Sequence, residues 1–205
     1  MIPDPLEPFN RVMFKFNDFI YMNVVQHVAN GYRAVTPDPV ERGASNFFQN
    51  LGYPVRLVGN LLQGRIKGAW IETERFVVNT TIGVAGIYKA ADHFERMQPI
   101  EPEDMGQAFG AWGIGEGPYL VLPLLGPSNL RDLFGLVGDR AVNPLTEPYS
   151  VIEDSNLQLA LGASGFVVQS PSLLDLYTKM KGSAIDPYSA LKNGYLQKRR
   201  NMIEE

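Results

Sequence analysis

Ser164 lies in Gly162-Ala163-Ser164-Gly165, one residue short of the strand-to-helix elbow that presents a nucleophilic serine. A serine attacks only beside a base, and neither His27 nor His93 has a neighbourhood that marks it as one. Glu101, Glu103 and Asp104 are a carboxylate cluster fit for acid–base work, yet acids at a helix start are also what the helix dipole favours. Gly113-Ile114-Gly115-Glu116-Gly117-Pro118 lacks the spacing of a dinucleotide loop, and Glu116 would repel a phosphate. The glycines more simply allow backbone conformations closed to other residues. The chain has no cysteine, so it offers no thiolate, no disulfide and no cysteine metal site. No catalytic residue, metal ligand or cofactor loop emerges.

What remains is distributed aromatic surface: Phe47, Phe48, Trp70, Phe76, Phe109, Trp112 and Tyr119, interleaved with Gly and Pro. Such rings suit a bilayer interface, where one edge stays wet, and they equally suit a core. The 205 residues are 45% apolar and 20% charged, which excludes a disordered chain and predicts one domain over 1–205. A net charge of −4 disfavours a nucleic-acid partner. Met1-Ile2-Pro3-Asp4 lacks the basic and apolar regions of a secretory signal. Ser155 to Leu174 carries no formal charge and is long enough to span a bilayer, but its Ser, Gln, Asn and Pro residues argue against that role.

The elements that must position these residues begin with legible punctuation. Asp4-Pro5, Asp38-Pro39, Glu101-Pro102 and Asp186-Pro187 each read as a helix start, the acid capping orphan amides and Pro costing nothing at the first turn. From Pro5, Phe9, Val12, Met13, Phe16, Phe19, Ile20 and Val24 form one helical stripe, with Phe14 and Tyr21 off it. Aromatics on two faces require either a thick core or lipid on the far side. A helix pair is predicted over Val55–Gln63 and Ile66–Thr81, broken at Gly64, with Lys67, Glu72, Glu74 and Arg75 as a solvated outer face. Glycines at 110, 113, 115 and 117 before Tyr119-Leu120-Val121-Leu122 predict a Gly-rich hairpin. Short helices are expected at Asn156–Val168 and Leu173–Lys181, then a final helix from Asp186. From Asp175 onward six basic residues face four acidic ones. That helix is expected to turn Tyr188, Leu191 and Tyr195 inward and Lys192, Lys198 and Arg199 outward, toward anionic lipid or a protein partner.

The order of short motifs resembles the MlaA/VacJ family of outer-membrane phospholipid-transport lipoproteins of Gram-negative bacteria. The matching segments are Asp4-Pro5-Leu6-Glu7-Pro8-Phe9-Asn10-Arg11, Ser45-Asn46-Phe47 with Asn50-Leu51, Leu62-Gln63-Gly64, and Arg75-Phe76 with Asn79-Thr80. Gly113-Ile114-Gly115 with Gly117-Pro118-Tyr119, Leu122-Pro123, Leu130-Arg131-Asp132 and Asp186-Pro187-Tyr188 continue the series. The family carries a signal peptide and a lipid-modified cysteine ahead of the Asp-Pro-Leu-Glu segment, where this sequence has Met1-Ile2-Pro3, so a shortened chain is expected.

The resemblance implies an all-α, ring-like domain of short broken amphipathic helices with a Gly-rich hairpin or loop and a central channel. It implies a lipid-anchored protein in the periplasmic leaflet of the outer membrane, associated with a trimeric porin. Its role would be to move misplaced phospholipids to a soluble periplasmic carrier, without catalysis, metal or cofactor. By the same resemblance Gly113, Gly115, Gly117, Pro118 and Tyr119 would lie beside the channel and its gate. Phe9, Phe14, Phe16, Phe47, Phe48, Trp70 and Trp112 are the expected lipid-facing or interfacial residues. A lipid hydrolase using Ser164 or the acidic cluster, and a purely structural porin-binding lipoprotein, are the competing readings.

Overall fold

The computed structural model describes residues 3–146, 150 and 152–204. Its first helix, α1 (Glu7–Ile20), continues through a π-helical segment, Tyr21–Val25, into α2 (Gln26–Val35). Asp4 Oδ1 accepts the Leu6 N–H at 3.2 Å and the Asn10 amide at 3.1 Å, but α1 opens at Glu7 behind Leu6, which makes no side-chain cap, so the helix begins later than the expected Asp4-Pro5 start. In α3 (Asp38–Leu51) Pro37 takes the cap position and makes no side-chain bond. Asp38 therefore acts from inside the first turn, through the dipole, and not as a cap. The expected helix pair is α4 (Tyr53–Leu62) and α5 (Ile66–Thr81), turned by Gly64 at a φ of +71°.

Two short 3-10 turns, Ala90–His93 and Glu95–Met97, lead to α6 (Met105–Ala111). Asp104 Oδ1 caps α6 by accepting the Gln107 N–H at 2.8 Å. A two-stranded antiparallel hairpin follows, β1 (Tyr119–Leu122) with β2 (Gly126–Asn129), then α7 (Leu130–Val142). The hairpin is real but its position differs from expectation, because Gly113, Gly115 and Gly117 lie in the loop ahead of it. Asn129 Oδ1 accepts the Asp132 N–H at 2.8 Å and opens α7. The described elements are helices and this single small sheet, so the fold is all-α in class.

The two short helices expected after Ser155 are one helix, α8 (Ser155–Ser183), which runs through Pro171. A proline deprives the carbonyl four residues earlier of its N–H donor. Here that carbonyl is Val167 O, and Ser170 Oγ donates to it at 2.7 Å, so no backbone oxygen is orphaned. The helix is long and apolar enough to cross a membrane by length and composition, and only 22% of its most apolar window is buried. The chain closes with α9 (Pro187–Glu204), whose start accepts the Tyr188 N–H on Asp186 at 3.2 Å.

Followed through its packing, the chain returns on itself: α1 lies on β1, β2 on α7 and α9, α7 on α6 and α4, α4 on α3, α3 on α8, and α8 on α2. The contact of α6 with α7 is close enough that a Cβ on Gly135 would stand 2.3 Å from the Gly106 nitrogen, so only glycine fits. The apolar core is small, a cluster of Tyr119, Val121, Tyr188 and Leu196 with Met13, Phe14 and Tyr195 packed on it.

Polarity elsewhere is reversed. On α1 the residues buried are Asn10 and Asn17, while Phe9 (52% exposed), Val12, Phe16 and Phe19 (61%) are open. On α5 Glu72 is 4% exposed whereas Trp70 is 65% and Val77 is half exposed. The expected solvated face of α5 thus turns inward at Glu72 and at Arg75, which lies against Asp92. A charged face can be buried when its charges are paired, and it leaves the apolar face outside.

Candidate functional site

The two buried asparagines of α1 lie seven residues apart, two helical turns, and so on one face. Asn10 Nδ2 donates to Tyr119 O at 2.9 Å and its Oδ1 accepts from Val121 N at 2.9 Å. Asn17 Nδ2 donates to Leu122 O at 2.9 Å and its Oδ1 accepts from Leu124 N at 2.8 Å. Each amide acts as a strand rung, satisfying the edge of β1 that faces away from β2. Val121, opposite Pro127 in the register, donates its N–H to the Asn10 amide oxygen. The hairpin is thereby fastened to α1, with its tip at Leu124 and Leu125 exposed.

Behind the hairpin lies a buried ionic lattice. Arg199 of α9 donates to Asp104 at 2.6 and 2.9 Å and to Asp132 at 2.8 Å. Asp132 also accepts from Arg131 and from the Tyr195 hydroxyl at 2.6 Å. Burial would raise the Asp132 carboxyl, but the bonds from Arg199 and Tyr195 outweigh it and hold it below its ordinary value. Neighbouring Asp139 has no cation so close: burial pushes it up to about 6, against the Met105 N–H it accepts at 2.9 Å. Glu103, buried, is likewise raised despite its bonds from Gln63 and Arg65. Lys192, expected to face outward, is 3% exposed and lies 3.7 Å from Asp4, so α9 is ion-paired to the body at Lys192 and Arg199. Lys198 is exposed as expected, and Arg200 pairs with Glu116 at 2.6 Å.

Three cavities run on from one another between the arcs of the fold. A polar one of about 300 Å³ is lined by Asn46, Gln49, Asn50, Arg56, Glu72, Arg75, Asn79 and Lys89, with Phe76 stacked on Tyr53 at one wall. It shares Arg56 and Pro102 with a mainly apolar cavity of about 520 Å³, lined by Val55, Leu125, Leu136 and Val137. That cavity in turn shares Gly52, Arg140, Asn143 and Thr146 with a third of about 690 Å³ along α8, walled by Phe48, Leu159 and Phe166. A polar-lined cavity adjoining a mainly apolar one suits an amphiphile.

The residues singled out in the sequence are not gathered in one place. Gly113 and Gly117 have φ of +84° and +66°, and Gly115 has open space around it. Pro118 O accepts the Leu130 N–H at 3.1 Å, and Tyr119 is a core residue, 2% exposed. These positions lie beside α9 through Glu116 and outside the linings of the three cavities. Phe9, Phe16, Trp70 and Trp112 are exposed, Trp112 Nε1 donating to Leu62 O at 2.8 Å. Phe14 differs: it is half-buried with its ring edge-to-face on Tyr188, because it sits on the core side of α1. Phe47 and Phe48 are half-buried against each other, and Phe48 touches the space over Gly165 of α8. The sequence reading gave Asn10, Asn17, Arg56 and Lys89 no role, and Arg199, expected to face outward, is instead buried between Asp104 and Asp132, which pair its charge. The signal for the asparagines was available, two amides at i and i+7 on the flank of the apolar stripe. Ser164 Oγ donates to its own helix at Ala160 O, and neither histidine bonds to it among the described residues.

A family model described as MlaA lipoprotein matches residues 2–202. The chain is 34% identical over 207 residues to the intermembrane phospholipid transport system lipoprotein MlaA of Shigella flexneri, covering 95% of this chain and 76% of that protein. It is 33% identical over 206 residues to the protein of that name from Escherichia coli (strain K12), with the same coverage. A solved structure described as "Structural basis for maintenance of bacterial outer membrane lipid asymmetry" superimposes with a TM-score of 0.78 at 30% identity, over 98% of this chain and 100% of that one.

Proposed function

Since the chain belongs to the MlaA lipoprotein family, we propose that it is a non-enzymatic phospholipid channel of the outer membrane. In this reading it removes misplaced phospholipids from the outer leaflet and passes them to a soluble periplasmic carrier, maintaining lipid asymmetry. It sits in the periplasmic leaflet, lipid-anchored and beside a trimeric porin. The observation that carries this reading is the reversed polarity of α1, with Asn10 and Asn17 inside and Phe9, Val12, Phe16 and Phe19 outside. Exposed apolar faces on this scale are unfavourable in water and favourable in lipid, at about 25 cal/mol per Å² of apolar area.

The physical task fits what the fold supplies. Moving a lipid breaks no bond, so the protein needs a path that keeps the head group hydrated or hydrogen-bonded and tolerates acyl chains. The polar-lined cavity and the mainly apolar one beside it supply both surfaces. The hairpin tip, Leu125, lines the middle cavity and can open or close it while the Asn10 and Asn17 rungs keep its base in place. Gly113, Gly115 and Gly117 give the loop before the hairpin the freedom such movement needs.

The test is to load vesicles with labelled phospholipid, add the detergent-solubilised protein and an empty acceptor vesicle population, and analyse both location and chemistry of the label. Intact lipid in the acceptor is the expected result. Fatty-acid release that survives stringent purification would replace the channel with a hydrolase. Absence of both would leave a structural porin-binding lipoprotein.

A further inference from the structure

The chain carries net charge −4, yet the lining of its polar cavity contains Arg56, Arg75 and Lys89 against the single carboxylate Glu72. By formal charge that lining is cationic in an acidic protein. Its cations are held differently. Arg56 Nε donates to Glu72 at 2.7 Å and Nη1 to Gln49 O at 2.8 Å, which leaves Nη2 available. Arg75 is occupied by Asp92 and Met97 O. The Lys89 side chain makes no ion pair or hydrogen bond among the described residues, and it is exposed at the cavity's edge.

Lys89 is nonetheless well placed. The segment before it is pinned by Asn46 Nδ2, which donates to Ile87 O at 3.0 Å. Gly86, at a φ of +88°, packs so close to Asn50 that a Cβ there would stand 2.5 Å from the Asn50 side chain. Asn79 reaches past the same loop, its Oδ1 accepting the Ala91 N–H at 2.9 Å. The loop that carries Lys89 is thus held at the cavity's edge, and a guanidinium stands at Arg56, which with Pro102 is shared with the apolar cavity.

We propose that this polar cavity, between α3, α4 and α5, binds the phosphate-bearing head group of a phospholipid, with Lys89 and Arg56 contacting the phosphate and the acyl chains entering the neighbouring apolar cavity. A guanidinium and an ammonium are the side chains that bind phosphate best, the first through directed hydrogen bonds and the second as a point charge. Arg56 marks the boundary where the head group gives way to the chains. Glu72 holds Arg56 in that position and presents the one negative charge of the lining, which a cationic head-group amine can approach. This rests on the lipid-channel reading and adds the place where the head group is recognised.

The experiment uses the full chain in detergent and measures displacement of a fluorescent short-chain phospholipid by three competitors: dihexanoylphosphatidylethanolamine, dihexanoylglycerol and inorganic phosphate. The phospholipid should displace the probe, with dihexanoylglycerol and inorganic phosphate each much weaker. Lys89→Glu should weaken phospholipid binding roughly tenfold, as expected for the loss of one charge-assisted contact, and Lys89→Arg should restore it. Gln49→Glu, which adds a carboxylate to the same lining at an exposed position, is the second variant and should weaken binding in the same salt-sensitive way. Equal potency of dihexanoylglycerol, or unchanged binding by both folded variants, would overturn the head-group site while leaving lipid transport standing. Inorganic phosphate competing as well as the phospholipid would make it a site for free phosphate instead. A parent protein that binds no phospholipid at all would sink the transport reading itself.

Discussion

Helices α1 and α9 meet at the same joint, where Phe14 of α1 packs edge-to-face on Tyr188 of α9 at 5.9 Å and Arg11 lies 4.4 Å over the Tyr188 ring. They treat polar and apolar residues in opposite ways. Outward, α1 shows Phe9, Val12, Phe16 and Phe19, and its inward amides serve the hairpin. Toward its surroundings α9 shows Lys198 and Arg200, burying Tyr188 and Leu196 together with the paired cations Lys192 and Arg199. One helix presents an apolar exterior and the other a charged one. Most internal polar groups are tolerated because they are matched, an amide to a strand edge and a guanidinium to two carboxylates, while Gln63 Oε1, Gln107 Oε1 and the Tyr119 hydroxyl are buried without a partner among the described residues.

The largest expected effect comes from unmatching the α9 side. Arg199→Met strands Asp104 and Asp132 near each other without their shared cation, and should cost about 3–5 kcal/mol of stability. Denaturant midpoints in detergent measure it, and a loss below 1 kcal/mol would show that the lattice is not what holds α9. On the α1 side Asn10→Ala leaves Tyr119 O and Val121 N buried without partners and should cost about 2–4 kcal/mol. Hydrogen exchange at Val121 should accelerate with it; protection equal to the parent's would mean that the edge of β1 is satisfied some other way.

A pH comparison sharpens the inner region. The carboxyl of Asp139 is raised to about 6. Whatever stability this group contributes is present in full below the ordinary carboxylate pKa near 4, and is lost as pH rises through about 6. Asp139→Asn removes that loss, so the variant should gain on the parent by up to about 3 kcal/mol between pH 4 and 7. Parallel stability profiles for the two proteins would refute the raised carboxyl. The smallest effect on stability belongs to the outer face: Phe9→Ser with Phe16→Ser should change the denaturant midpoint in detergent by well under 1 kcal/mol, because neither ring is in the core. The same pair should sharply reduce flotation with liposomes, and unchanged flotation would break the contrast between α1 and α9.

Much of this was legible in the sequence, and where it was not the cause is specific. Helix periodicity and the Gly64 break depend on neighbours within a few residues, so α4 and α5 fall close to their expected positions, whereas α6 begins at Met105 behind an Asp104 cap and not at Glu101-Pro102. The merger of two expected helices into α8 was hidden because Pro171 ordinarily ends a helix, and its repair by Ser170 is visible only once the backbone is traced. The aliphatic stripe of α1 was found, but periodicity reports that two faces differ without saying which is inside.

The order of motifs alone was enough to establish the family resemblance, the helical class and the want of a recognisable catalytic constellation, since these are properties of residues and their spacing along the chain. Only the tertiary structure decided which way each amphipathic face points. That choice placed Asn10 and Asn17 on the hairpin edge, Glu72 and Arg56 in a cavity wall, and Arg199 between two acids far from it in sequence. The physical reason is that burial of a polar group is unfavourable alone and acceptable with a partner, and partners separated by 95 or 111 positions are brought together only by the closed path of the fold.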